Sequence, residues 1–63
     1  MTARFTIFRY LRNKVRAITA PKIAKATGIN SNTVRKVLGQ LKTQRIVRSE
    51  FIERHGRLGY LIA

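Results

Sequence analysis

Apolar residues recur along this 63-residue chain at helical spacing three times, and then in an alternating pattern. In the first stretch Ile7, Phe8, Leu11 and Val15 share one face at about 100° per residue, with Phe5 at its edge and Tyr10 bordering it. Arg9, Asn13 and Arg16 fall on the opposite face, so the pattern predicts an amphipathic helix over about residues 3–16. Ala17-Ile18-Thr19 has room only for a strand-like stub. Thr19 then suits a helix N-cap, because its hydroxyl can accept an orphan first-turn amide. Pro21 falls in that first turn, where its missing N–H costs little. A short helix over about 20–27 follows, with Ile23 and Ala24 inward, and Gly28 supplies the left-handed residue that ends it.

Ile29 is an apolar link, and Asn30 or Ser31 a second N-cap. Val34, Val37, Leu38 and Leu41 then fall at i, i+3, i+4 and i+7, the cleanest periodicity in the chain, which predicts a third helix over about 31–43. From Ile46 the pattern changes. Ile46-Val47 and Phe51-Ile52 are rich in strand formers, Arg54-His55-Gly56-Arg57 reads as a turn, and Leu58-Gly59-Tyr60-Leu61-Ile62 returns. A hairpin over about 46–63 is expected, with Val47, Ser49 and Phe51 sharing a face of its first strand and Tyr60 and Ile62 sharing a face of its second. Phe5, Phe8, Phe51 and Tyr60 all sit at core spacing and are expected to pack inside.

Two short helices joined through Thr27-Gly28-Ile29, the second capped, make a helix-turn-helix pattern. The run from Ile18 to Leu41, through Pro21-Lys22-Ile23-Ala24, Gly28-Ile29-Asn30 and Val34…Leu41, resembles the core of winged helix-turn-helix regulators. Ile46-Val47-Arg48 with the Gly59-Tyr60-Leu61 return strand resembles their wing, so the likeness covers about residues 3–63. It implies one domain over 1–63, of mainly α, α+β class, with three helices and a C-terminal β-hairpin wing. It also implies a DNA-binding module whose third helix enters the major groove, with the wing beside it. The chain departs from the pattern at Arg45, where such regulators often close the third helix with Gly. Glu50 and Glu53, in the wing strands, weaken the case for a wing that grips DNA.

Charge narrows the partner. The chain has 14 Lys plus Arg against two acids, a net charge of +12, and residues 1–49 hold twelve of the cations and no acid. So many unpaired cations destabilise a compact state unless a polyanion binds them, and nucleic acid is the default polyanion. On the third helix the face opposite the apolar stripe carries Asn32, Arg35, Lys36, Gly39 and Gln40. Asn and Gln suit adenine and Arg suits guanine in the major groove, so Asn32, Arg35, Lys36 and Gln40 are the candidate base-contact residues. Lys22, Lys25, Ser31 and Thr33 are candidates for the DNA backbone, and Arg54, His55 and Arg57 for contact through the wing. Gly39 costs about 0.5–1 kcal/mol relative to Ala inside a helix, consistent with a close backbone approach there.

Other classes fit less well. Few catalytic clefts with their supporting residues fit into 63 residues, and His55 has no partner acid or nucleophile placed by sequence, so no enzyme is expected. With no Cys, one His and two acids, neither a metal nor another cofactor is expected, and no small-molecule ligand is evident. Arg4, Arg9 and Arg12 interrupt the apolar run that a secretory signal needs, and no stretch approaches the roughly 20 apolar residues of a membrane span. The first twenty residues are Arg-rich and acid-free like a mitochondrial transit peptide, yet removing them would leave too small a core. A cytoplasmic (nucleoid-associated) or nuclear location is expected. Binding of a membrane surface through the first helix would consume the apolar stripe that the core needs. The main alternative to double-stranded DNA is RNA, because the His55-Gly56 turn before the Tyr60 strand is similar to small basic winged-helix proteins of ribosomes. A homodimer is possible, since one recognition helix reads only a few base pairs.

Overall fold

In a computed structural model that describes residues 2–54 and 56–63, the chain forms helix α1 (Ala3–Arg12), strand β1 (Ile18–Thr19), helices α2 (Ala20–Thr27) and α3 (Ser31–Thr43), and strands β2 (Val47–Ile52) and β3 (Arg57–Ile62). The strands make one antiparallel sheet in the order β1-β3-β2. Ile7 and Leu11 of α1, Ile23 of α2, and Val34 and Leu38 of α3 have no exposed surface. Leu41 and Val47 close the same core. Each such side chain contributes about 1.5–3 kcal/mol of burial, and together they fix the angle at which α3 stands on the other helices. Among the described residues no helix is long and apolar enough to cross a membrane.

α1 is capped by Thr2, whose hydroxyl accepts from the Phe5 N–H at 3.2 Å. It ends at Arg12 rather than at residue 16, and Val15, expected in the core, is 93% exposed. The reason lies at the far end of the chain. Ile18 and Thr19 pair with Tyr60 and Gly59 of β3, and residues 13–17 are spent on reversing the chain to reach that edge. Asn13, a weak helix former, caps the end, and Lys14 folds back to place its ammonium 4.8 Å from the Tyr10 ring centre. Arg16 therefore leaves the helix altogether.

The turn between α2 and α3 is built by its sequence. Gly28 has φ 74° and donates its N–H to the Ala24 carbonyl at 2.9 Å. The Thr27 hydroxyl bonds the Ile23 carbonyl at 2.7 Å, and the Asn30 side chain accepts from the Asn32 N–H at 2.8 Å to start α3. Thr19 differs from expectation. It has the extended N-cap backbone, but its hydroxyl makes no capping bond. Pro21 has no N–H, which removes one of the two amides a cap usually reaches.

α3 ends in a Schellman arrangement, with Arg45 N–H bonded to Lys42 O and Ile46 N–H to Leu41 O. Arg45 occupies the left-handed position at φ 62°, which glycine usually fills. The Ile46 carbonyl in turn accepts from the Ala63 N–H at 3.0 Å, so one residue ties the end of α3 to the end of β3.

Val47, Ser49 and Phe51 face Ile62, Tyr60 and Leu58 across the hairpin. This is the face that meets the core, but it outruns the helices. Val47 is buried, Tyr60 half-buried, and Phe51 and Leu58 are 59% and 49% exposed. Phe5, at 49%, is likewise not a core residue, while Phe8 is half-buried.

Candidate nucleic-acid interface

The buried face of α3 leaves a well-defined outward face. Asn32, Lys36, Gly39 and Thr43 recur at i, i+4, i+7 and i+11, opposite Val34, Val37, Leu38 and Leu41, and all four are exposed. Arg35 and Gln40 flank this stripe on its two sides and are exposed as well. Lys42, seven residues after Arg35, lies on the same flank. Thr43, whose hydroxyl bonds the Gly39 carbonyl at 3.0 Å, extends the polar stripe beyond the residues chosen from sequence. No acidic residue occupies this helix or the first turn of α2, so neither helix sets a first-turn carboxylate of its own against its positive end.

Gly39 stands in open space. A Cβ built on it would meet no heavy atom within 4 Å, so no described residue requires glycine there. Gly59 is the opposite case. Its Cβ would lie 2.6 Å from Ile52 Cδ1 and 2.8 Å from Ala17 Cβ, so the missing side chain is what lets the 13–17 segment close over β3.

The backbone candidates do not form one group. Lys22 and Lys25 are one turn apart on the exposed side of α2, whereas Ser31 and Thr33 point to opposite flanks of the first turn of α3. Ser31 and Thr33 thus cannot both face the surface that carries Asn32. Lys22 instead meets the wing. It lines a cleft of about 510 Å³ with Arg54 and Arg57, walled by Thr19, Ile18, Ala17 and Ile52. His55, the third wing candidate, lies outside the described residues.

A wider groove continues from this cleft and adds Arg16 and Arg48, with Glu50 and Glu53 among its lining. Neither arginine stands among the candidates the sequence pattern offers, for different reasons. Arg48 was legible from alternation, since Val47 and Ser49 turn inward and Arg48 must then turn out. Arg16 was hidden by the overlong first helix, which assigned it to the far side of the molecule.

No protein-family model and no curated protein sequence matches this chain. Its structure is similar to the crystal structure of the transcriptional regulator PA3341, with a TM-score of 0.83 and 21% sequence identity over 98% of this chain. The chain spans 46% of that protein's length. The likeness identifies the fold as a winged helix-turn-helix: α2 and α3 form the helix-turn-helix, and β2 and β3 the wing.

Proposed function

We propose that this chain binds double-stranded DNA sequence-specifically, as the winged helix-turn-helix module of a transcriptional regulator, with α3 in the major groove. The outward face of α3 carries this reading. It presents Asn32, Arg35, Lys36 and Gln40, all exposed, on a helix that contains no acid and whose other face is locked into the core. A major groove about 12 Å wide admits such a helix, and these side chains match the donor and acceptor edges of adenine and guanine. Lys22 and Lys25 on α2, with Ser31 or Thr33, supply phosphate contacts that set register, and Arg54 and Arg57 reach the duplex from the wing. The net charge of +12 supplies the affinity that does not depend on sequence.

The test is selection from a random duplex pool, followed by footprinting at fixed salt. An enriched sequence is expected. Arg35→Ala and Asn32→Ala should each reduce discrimination between that sequence and random DNA by about 1–3 kcal/mol, the worth of a bidentate base contact. A pool that returns no enriched sequence, or equal losses on selected and random duplexes, overturns the specific reading. A preference for structured RNA over duplex at equal salt would replace DNA as the partner.

A further inference from the structure

Three cations from separate parts of the chain converge on one cleft: Lys22 from α2, Arg54 from the β2–β3 turn, and Arg57 from the start of β3. Among the described residues the remaining walls are apolar or hydroxylic, and no carboxylate lines this inner part. The Thr19 hydroxyl at its edge makes no capping bond with α2. The floor exists because residue 59 is glycine, which allows Ala17 and Ile52 to pack across β3. Glu50 and Glu53 enter only in the wider groove, where Arg16 and Arg48 accompany them. Like charges held in one concavity repel each other, so folding this cleft without an anion carries a cost that an anion would remove.

We propose that this cleft is a binding site for a phosphate group. Two guanidinium forks offer paired N–H donors that match phosphate oxygens, and the Lys22 ammonium adds a mobile point charge. At about 510 Å³ the cleft holds a phosphate together with part of the molecule that carries it. That carrier is either a nucleic-acid backbone or a free phosphate monoester. Phosphate capture is separable from the DNA reading, because it is testable with no duplex present.

The probe is inorganic phosphate in the low millimolar range, titrated against sodium chloride at matched ionic strength, with thermal melting and calorimetry as readouts. Saturable stabilisation by phosphate is expected, since a ligand that binds only the folded state raises its melting temperature. Arg57→Ala and Lys22→Ala should each weaken the apparent affinity at least tenfold, whereas Arg9→Ala on α1 should leave it unchanged. These three side chains are exposed, so the variants are expected to fold. Identical melting in phosphate and chloride overturns the proposal. So does an equal loss in Arg9→Ala and Arg57→Ala, which would mean phosphate responds only to overall charge.

A second arm identifies the carrier. If phosphate displaces random duplex at constant ionic strength, and Arg57→Ala abolishes that competition, the cleft takes a backbone phosphate. If phosphate binds saturably without displacing duplex, the cleft takes a free phosphate ester. Loss of duplex binding with phosphate binding retained would remove the DNA reading and leave this site standing.

Discussion

Replacing Gly39 by alanine should make the protein more stable and a poorer DNA binder. Gly39 lies well inside α3, is exposed, and has no atom within 4 Å of the position a Cβ would take. Alanine there meets no clash, so the substitution should recover nearly the whole intrinsic difference, about 0.8–1.0 kcal/mol. For a domain this small, that raises the melting temperature by roughly 4–8 °C. The effect on binding has the opposite sign if α3 lies in the groove. The new methyl sits at the centre of the stripe formed by Asn32, Lys36 and Thr43, where it holds the helix axis away from the bases. Contacts at Asn32 and Lys36 then lengthen together, and a loss of about 1.4 kcal/mol, or tenfold in Kd, is a modest expectation. Calorimetric melting and fluorescence anisotropy on a pool-selected duplex read the two effects separately. A stabilised Gly39→Ala protein that binds that duplex within twofold of wild type would refute the reasoning. The centre of the outward face would then touch only water.

Leu38 has no exposed surface, and Leu38→Ala should cost about 2–5 kcal/mol, read as a lowered urea midpoint; an unchanged midpoint would mean the wrong face of α3 is inside. Arg45→Gly should stabilise the domain by about 1 kcal/mol, because it relieves the left-handed backbone at φ 62° while keeping the Schellman bonds. If Lys22, Lys25, Arg35, Lys36, Arg54 and Arg57 neutralise about six phosphates, log K should fall against log salt with a slope near −5, or roughly a thousandfold between 50 and 200 mM. Lys22→Ala should make that slope shallower by about one, and Arg9→Ala should not change it; equal effects would mean that nucleic acid wraps the domain. Arg16, which lines the groove beside Lys22, belongs with the lysine rather than with Arg9.

Local signals sufficed wherever the chain is punctuated locally. Pro21, Gly28 and Asn30 bracket α2 and start α3, and the Val34–Leu41 spacing names the buried side of α3 without any tertiary information. The first helix failed on a long-range demand. Ile7, Leu11 and Val15 continue a perfectly good helical face, but β3 pairs with Ile18 and Thr19, and the chain must leave the helix early to get there. Alternation in the hairpin assigned Phe51 to the correct face and the wrong environment, because a pattern names a face and not where its cover ends. The outward residues of α3 were readable for the same reason as its core. The cleft was not, since Arg16, Lys22, Arg54 and Arg57 are brought together only by strand pairing and by the space Gly59 leaves.

The single residue at Ile46 has a mechanical consequence. Its N–H closes α3 and its carbonyl holds the end of β3, so no flexible linker lies between the helix and the hairpin. Helix and wing thus behave as the two jaws of a fixed caliper rather than as arms that adjust independently. On the proposed docking, a double helix presented to them would be gauged for the span between its grooves as well as for its bases. B-form DNA offers a wide major groove beside a narrow minor one, whereas an A-form duplex buries its major groove too deep and narrow for side chains to read. If α3 docks in the major groove as proposed, a protein built this way should reject duplex RNA by shape alone, before any base is inspected. Lengthening the junction by one or two glycines should relax that rejection while leaving both jaws folded.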